Sequence, residues 1–324
     1  MLSYSSALRG GIIACAFMAL AGCAPSSYRV KAPTPSGMKY EAVRPSQAQL
    51  SFIDDRKGDE RIFHGGVLAA TLNVGDAPLD GPQFLSLSVK EELASRGIPV
   101  AVSVGDNGLS RVNVRTFRIQ NHRVNAYSPF VTFTLISAEL DTGTDRRRIG
   151  VFVKRGKVPV WSFDEIVEPT FNQPLSVAVK EFSTKIANSL FDYRASDAAV
   201  DGLVTKLATR TPDSFLDVYS LGFTNNPRAV ETLAKLTKDE DEYVRLAAIS
   251  SLGNLSAADQ LPLLKTLYAN KDGLWQDRAM AIKAIGDLNT VESRDFLVAE
   301  MKRLELQSGD KESVWTTQVI GLYL

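Results

Sequence analysis

The pattern of apolar and polar positions divides the chain into two parts that differ in period. Between residues 47 and 194, apolar and polar residues alternate over several short runs, and two longer runs carry apolar residues at helical spacing. From residue 195 to residue 324 the alternation disappears, and apolar positions recur every three or four residues. Period two indicates half-buried strands, whereas a period near 3.6 indicates helices with one buried face.

The first part is therefore predicted to be an α+β domain. Strands are expected at 49–53, 98–103, 111–119, 130–140, 149–153 and 158–163. Helices are expected over 82–96, closed by Gly97, and over 174–190, each with a proline in its first turn. Because half-buried strands and amphipathic helices bury their apolar faces against each other, we expect a mostly antiparallel sheet with both helices on one face.

The N-terminus has the features of an export signal. The first forty residues contain no acidic residue, and an apolar run over 11–20 follows Arg9. Ten residues are too few to span about 30 Å of hydrocarbon at about 1.5 Å per residue, so the run is interpreted as the core of a signal peptide. Residues 24–46 contain four prolines and no sustained hydrophobic period, which predicts an extended tether.

The apolar run ends in Leu20-Ala21-Gly22-Cys23, which resembles the lipobox of bacterial lipoproteins. The resemblance implies cleavage before Cys23 and diacylglycerol and acyl chains, such as palmitate, on its thiol. Several acyl chains on one cysteine hold a protein firmly in a bilayer. Since Ala24 follows the cysteine in place of aspartate, the resemblance also implies the periplasmic face of the outer membrane.

Two short motifs mark the α+β part. Ile53-Asp54-Asp55-Arg56 follows the first strand, and Ser95-Arg96-Gly97-Ile98 ends the first helix. Together with the order of elements, they resemble the YajG-type family of small bacterial lipoproteins, which implies an envelope protein without known catalysis and names no ligand. Adjacent acids on an extended chain point to opposite sides, so Asp54 and Asp55 are interpreted as a turn with Arg56 as partner.

The helical part contains a repeat. The segment 245–255 recurs 33 residues later at 278–288, with Arg, Ala, Ile, Gly and Leu in register. The glycines at 222, 253, 286 and 321 lie 31, 33 and 35 residues apart. This period is typical of stacked helical hairpins. The Val-Arg-x-x-Ala-x-x-x-Leu-Gly string at 244–253 resembles short bacterial HEAT repeats.

The HEAT resemblance implies a role for four charged residues. In that family an acid and an arginine at successive inter-helix turns often form a ladder, and Asp239 with Arg245 and Asp272 with Arg278 have the matching spacing. Their expected role is structural, because such pairs hold one repeat to the next. Trp275 and Trp315 are candidates either for the core of the repeats or for a contact with the first domain.

Composition narrows the classes of function. The chain has 37 basic and 37 acidic residues, so no overall field favours nucleic acid as a partner. It has two cysteines, Cys15 in the signal and Cys23, and two histidines, His64 and His122, so neither a disulfide nor a metal site is expected. No nucleophile elbow, P-loop or dinucleotide-binding glycine pattern occurs, so we expect no enzyme activity and no cofactor beyond the lipid.

One segment departs from this charge balance. Residues 105–160 carry ten Lys or Arg residues and four acids. Arg146, Arg147 and Arg148 are a candidate basic patch for an anionic lipid, a glycan or an acidic partner surface. The same charges would also protect a sheet edge from aggregation, and both interpretations are kept.

The sequence thus predicts four segments: a signal peptide at 1–22, a lipidated cysteine and proline-rich tether at 23–46, an α+β YajG-like domain at 47–194 and a HEAT-like helical-repeat domain at 195–324. The expected function is that of a membrane-anchored, non-catalytic envelope lipoprotein that binds another envelope protein, as a scaffold or assembly factor, through its repeats. The alternative is a carrier or chaperone for a lipid, a glycan or another amphipathic envelope molecule, acting through the α+β domain.

Overall fold

The computed structural model describes residues 26–44, 48–61, 70–106, 108–123, 125, 127–157, 162, 164–307 and 309–324. The signal peptide, the lipobox with Cys23, His64 and the expected strand at 158–163, apart from Ser162, lie outside these residues. Within them the expected fold class is confirmed, because a sheet-rich region is followed by an all-helical one.

The strands of the described residues form three sheets. The strands are β1 (Ser26–Val30), β2 (Glu41–Arg44), β3 (Ala48–Asp54), β4 (Ala70–Val74), β5 (Ala77–Pro78), β6 (Val100–Val104), β7 (Ser110–His122), β8 (Phe130–Asp141), β9 (Arg146–Lys157) and β10 (Asp192–Arg194). The main sheet has the order β6-β3-β7-β8-β9, while β1, β4 and β5 form a second sheet and β2 pairs with β10.

The main sheet is mixed. The long pairs β7 with β8 and β8 with β9 are antiparallel, as expected. The two short pairs that β3 makes with β6 and β7 are parallel. Parallel neighbours need a crossover connection, and the segment between β3 and β6 supplies one that contains a helix. Alternation along a strand reports which face is buried and not the direction of its neighbour, so the sequence did not predict these pairs.

The helices are α1 (Gly81–Ser95), α2 (Gln173–Leu190), α3 (Asp197–Lys206), α4 (Ser214–Gly222), α5 (Val230–Leu236), α6 (Glu242–Asn254), α7 (Leu261–Ala269), α8 (Trp275–Leu288), α9 (Val291–Glu305) and α10 (Lys311–Ile320). Helical turns also occur at Gly58–Arg61, Asp164–Val167, Glu168–Asn172, Pro227–Ala229 and Ala258–Gln260. As predicted, α1 and α2 cover one face of the main sheet. Phe84 of α1 stacks 6.2 Å from Phe117, and Phe182 of α2 lies 6.5 Å from Phe52.

Residues 26–44 do not form the expected tether. Tyr28 in β1 is buried and stacks on Phe171 at 5.4 Å. Tyr40 is also buried, and its hydroxyl donates to the carbonyl oxygen of Phe223 and accepts from the guanidinium of Arg96 at 2.7 Å. An extended segment with prolines has no helical period, yet two tyrosines suffice to fix it on the domain.

The motif residues of the α+β part have structural roles. Arg56 is buried, and its Nε donates to Asp54 at 2.8 Å, which confirms the expected turn. Arg96 is fully buried, donates to Glu92 at 2.7 Å and lies 5.9 Å from the ring of Phe223. Arg96 therefore connects α1, the N-terminal segment and the helical part through one guanidinium group.

The helical part is a row of four hairpins, α3 with α4, α5 with α6, α7 with α8 and α9 with α10, whose second helices stack in order. Three of the four repeated glycines lie at close contacts within the array. A Cβ atom at Gly253 of α6 would lie 2.7 Å from the Cα atom of Ala284 in α8, and one at Gly286 would lie 2.5 Å from the ring of Tyr323. Gly222 makes a similar contact with Ser251, whereas a Cβ atom at Gly321 would meet nothing closer than 3.4 Å, so the glycine period marks close approaches at three of its four positions.

An arginine ladder connects the repeats, but its pairs differ from the expected ones. The pairs are Arg210 with Asp239 at 2.5 Å, Arg245 with Asp277 at 2.9 Å and Arg278 with Glu312 at 2.5 Å. The expected pairs of Asp239 with Arg245 and Asp272 with Arg278 are therefore wrong. Each arginine reaches the acid of the next repeat, because within its own turn it donates to backbone carbonyls, as Arg245 does to that of Asp239 at 2.8 Å.

The helical array covers the edge strand β9. The hydroxyl of Tyr243 accepts from the N–H of Gly156 at 3.1 Å and lies 3.2 Å from its carbonyl oxygen, to which a hydroxyl can donate. Lys185 of α2 donates to the carbonyl oxygen of Gly150 at 2.5 Å. A Cβ atom at Gly150 would lie 2.6 Å from the ring of Tyr323, so glycine lets the array reach the strand. Backbone groups that a sheet edge leaves unpaired are thereby bonded.

Four buried charges close the contact between α2 and α8. Lys283 lies 2.7 Å from both Glu181 and Asp287, and Lys185 lies 2.6 Å from Asp287 and 2.5 Å from Glu181. Burial raises the pKa of the Glu181 carboxyl, but Lys185 and Lys283 outweigh it and hold that pKa below its usual range. Burial lowers the pKa of Lys283, but Asp287 and Glu181 raise it above its usual range. The two lysines and two carboxylates have no net charge together. Their complementary charges hold α2 of the first domain against α8 of the helical array.

The close helix crossing gives a first prediction. Gly253→Ala should destabilise the protein by about 1 kcal/mol or more, because the backbone of Ala284 blocks the new methyl group and overpacking outweighs the gain in helix propensity. Gly202→Ala in α3 is the matched control, since a Cβ there meets nothing within 4 Å and should stabilise by about 0.5–1 kcal/mol. Denaturant unfolding followed by circular dichroism measures both. Equal changes in the free energy of unfolding for the two variants would contradict the close contact of Gly253 with Ala284.

The buried charges give a second prediction. Lys283→Met should cost about 3–5 kcal/mol at neutral pH, because it leaves an uncompensated carboxylate between α2 and α8, whereas the exposed Lys302→Met should cost little. Since the folded pKa of Glu181 is lowered, its contribution is present above the usual value of about 4.3 and is lost as the pH falls through the folded value. Unfolding curves at several pH values should therefore converge for wild type and Lys283→Met in acid.

Candidate functional site

A cleft of about 710 Å³ opens where the helical array meets one end of the main sheet. The sheet contributes residues from the end of β7 and from β8 and β9, among them His122, Val131 and Gly156. The array contributes the first turns of three second helices, α6, α8 and α10. Both parts of the chain are thus needed to form the cleft.

The cleft has an aromatic floor. The rings of Trp275 and Trp315 lie 4.7 Å apart, and both pack against Phe133 of β8, at 5.9 and 5.2 Å. The ring of His122 lies 5.2 Å from Trp315 and 4.6 Å from Phe133. Of the two roles expected for the tryptophans, the structure therefore shows the contact with the first domain. Both tryptophans are only half-buried, so part of their surface remains available to a ligand.

Three helix N-termini meet at the cleft. Glu242, Trp275 and Lys311 each line it, and each is the first residue of its helix. A helix N-terminus carries a positive partial charge on its unbonded N–H groups. Side chains cap α6 and α10, but Leu274, at the start of α8, supplies no side-chain acceptor. The N-terminus of α8 therefore has no side-chain cap at this site.

Cations outnumber acids along the cleft. Among the described lining residues, Arg123, Lys154 and Lys311 are cationic and Glu242 is anionic. Lys154 pairs with Glu242 and lies 5.3 Å from the ring of Tyr243. The remaining charge of these lining residues is positive and adds to that of the uncapped start of α8, so the cleft favours anionic groups.

Two polar atoms of the cleft lack hydrogen-bond partners. They are Nε2 of His122 and Oε1 of Gln276, both of which are buried and unbonded within the part of the chain that the structure describes. Burial, and then the charge of Lys311, hold the pKa of His122 below its usual range. The imidazole is therefore neutral at neutral pH. Together the two side chains offer hydrogen-bonding capacity that the fold itself does not use.

The expected basic patch at 146–148 does not form one surface. Arg146 pairs with Asp141 at 3.2 Å, while Arg147 donates to Ser189 of α2 at 3.2 Å on the other face of the sheet. Arg148 is half-buried, and burial lowers its pKa. Consecutive residues of a strand alternate between faces, so three adjacent arginines cannot act together. The patch was therefore wrongly predicted.

Few features of the sequence pointed to the cleft. His122 was singled out only as one of two histidines, and Lys311 was not singled out at all. Trp275 and Trp315 were the available signal, because two large aromatics at the starts of repeated helices exceed what the repeat pattern needs. Cys23, the predicted lipidation site, lies outside the described residues.

Comparisons with known proteins agree with the helical part. Residues 218–285 match the family model of HEAT repeats, so this part of the prediction is confirmed. HEAT repeats are generally protein-interaction modules, which is consistent with a protein partner. No curated protein matches the sequence.

Several solved structures show a likeness to this chain, and one of them illustrates how weak it is. It is the crystal structure of a Xanthomonas campestris protein of the DUF330 family, aligned over 49% of this chain and 91% of that chain with 13% identity and a TM-score of 0.32. A likeness of this size carries no argument about fold or function.

Two kinds of feature are absent from the residues that the structure describes. No helix there is long and apolar enough to cross a membrane. No group of three or more His, Cys, Asp and Glu side chains there is arranged to hold a metal ion.

The environment of His122 gives a third prediction. Its NMR titration should have a midpoint below the usual value of about 6.5, and Lys311→Met should move that midpoint upward, because a nearby positive charge is removed. His64 is the other histidine of the chain, so His122→Asn assigns the two signals. Because the folded pKa is lowered, the contribution of His122 to stability is present above about pH 6.5 and is lost as the pH falls. A midpoint that does not respond to Lys311→Met would contradict the described site.

Proposed function

We propose that this protein is a lipid-anchored, non-catalytic component of the bacterial envelope that acts as a scaffold or assembly factor, and that it binds its protein partner in the cleft between the repeats and the sheet. The observation that carries the proposal is the cleft itself: an aromatic, positively charged site that both domains build together. The HEAT repeats support a protein partner.

The packing of the array narrows where a partner can bind. The second helices were the expected binding surface, but their middle parts are buried against β9 and α2, as at Lys283 and Ile285. Their first turns at the cleft are the part that remains accessible, with Trp275 and Trp315 half-buried and Lys311 exposed. The proposed docking surface therefore uses the expected helices but only at one end.

Exposed apolar residues border the cleft. Tyr127 is 94% exposed, Leu274 47% and Val314 49%, and each is next in sequence to a residue that lines the cleft. An apolar pocket with further apolar surface around it is typical of protein interaction sites. This extension beyond the cleft supports a protein partner over a small molecule.

The proposed anchor lies close to the folded body. β1 begins at Ser26, three residues after Cys23. At about 3.3 Å per extended residue, the body would lie within about 10 Å of the acylated cysteine. A partner held in the cleft would then be held near the membrane surface. Two resemblances fit this arrangement and are part of the proposal: the YajG-type resemblance, which implies an envelope protein, and the lipobox with Ala24 after the cysteine, which implies the outer membrane.

One observation favours a second candidate function, that of a carrier for an amphipathic molecule. A cleft of about 710 Å³ falls in the size range of small-molecule sites. The layer between the main sheet and its two helices is filled by side chains such as Phe52, Phe117 and Phe182. A carrier would therefore use the cleft and not the interior of the α+β domain.

The lipid anchor is tested by Cys23→Ser. The variant should lose incorporation of labelled palmitate and move from the membrane fraction to the soluble fraction, because no other thiol of the mature chain can be acylated. Cys15→Ser is the matched control, since it changes the cysteine of the signal peptide. Membrane retention and labelling of Cys23→Ser would exclude the proposed anchor.

The docking surface is tested by crosslinking in cells. A photo-crosslinkable amino acid in place of Val314, at the cleft, should capture one envelope protein, and Trp315→Ala should abolish the capture. The same group in place of Leu306, an 88% exposed residue of the C-terminal end of α9, is the control and should not capture it. Capture from position 306 alone would place the partner on the first helices of the hairpins, away from the cleft. Capture of only a lipid or glycan at 314 would favour the carrier.

A further inference from the structure

We propose that the cleft recognises an acidic segment of a partner protein, with a carboxylate bound near the start of α8 and α10 and a bulky apolar side chain seated on Trp275 and Trp315. This inference rests on the proposed docking function and adds the chemistry of the partner.

The site for the carboxylate follows from the charges. Lys154 is neutralised by its pair with Glu242, whereas Lys311 is exposed and has no carboxylate within salt-bridge distance among the described residues. Asp310 caps the start of α10, so the ammonium group of Lys311, and not that helix end, supplies the positive charge there. The uncapped start of α8 lies in the same cleft. A carboxylate placed there meets an ammonium group and unbonded N–H groups together.

The site for the apolar side chain follows from the aromatic floor. The two indole rings lie 4.7 Å apart at an angle of 46°, and Phe133 supports both from below. Side chains that are locked by packing lose little freedom when a ligand binds, so they suit an anchoring residue such as Phe, Tyr, Trp or Leu. Val131 and Tyr243 also line the cleft and extend the apolar wall.

The unbonded polar atoms suit a peptide backbone. In a neutral imidazole, Nε2 either donates or accepts a hydrogen bond, depending on the tautomer, and Oε1 of Gln276 accepts one. Nε2 of His122 and this oxygen are both buried and have no partner in the described part of the chain. A peptide offers an N–H and a carbonyl group at every residue, so it can bond both atoms. A fatty acid has one polar end and would leave at least one of them unbonded if that end is bound at Lys311.

The test is selection from a library of random dodecapeptides displayed on phage, with the purified full chain as the target. Selected peptides should combine Asp or Glu with an aromatic residue or leucine. Synthetic copies of them should quench tryptophan fluorescence, with affinity that falls as salt rises. Lys311→Glu should weaken binding by about tenfold or more. Lys302→Glu, an equal charge change at an exposed position of α9 away from the cleft, should leave it unchanged.

Trp315→Ala tests the aromatic floor in the same binding assay. Because Trp315 is partly buried, this variant is used only if its thermal unfolding matches that of wild type. Otherwise Lys311→Glu alone tests the proposal. Selection of apolar or basic peptides, or binding that is insensitive to Lys311→Glu, would overturn the acidic partner while leaving the docking cleft in place. Failure to select any peptide, together with saturable quenching by laurate that Lys311→Glu removes, would overturn both this inference and the protein-docking function.

Discussion

The structure depends on how the edge of β9 is covered. Among the described residues, no further strand pairs with its outer side in the main sheet, so its outer N–H and carbonyl groups need other partners. Tyr243 of the array bonds to Gly156, Lys185 of α2 bonds to Gly150, and the missing Cβ at Gly150 lets Tyr323 approach the strand. The helical array is therefore fixed to the sheet as its cover, and the two parts of the chain form one body.

This arrangement changes what the repeats can do. A helical array usually offers the surface of its second helices to a partner, but here α8 packs on β9 and α6 contacts α2. The buried set of Glu181, Lys185, Lys283 and Asp287 adds little net stability, because desolvation opposes its attractions. Its contribution is to specify one orientation, since any other would leave buried charges unpaired.

The cleft is what this packing leaves open. Because the array is fixed along β9, the first turns of α6, α8 and α10 project past the end of the sheet and bring their positive ends and aromatic residues together. Both the proposed scaffold function and the alternative of a small-molecule carrier would use this cleft as the binding site. Its rigid aromatic floor and its position near the proposed lipid anchor favour a protein held at the membrane surface.

The sequence by itself determined the local structure: the periods of the strands and helices, the repeat marked by glycines such as Gly253, and the turn of Asp54 with Arg56. These features depend on neighbours in the chain, so a local pattern reports them. Tertiary structure alone decided that Arg245 pairs with Asp277, that Tyr40 fixes the N-terminal segment and that residues far apart in sequence form the cleft. Such pairings depend on which surfaces meet, and no local period records which surface a buried face will meet.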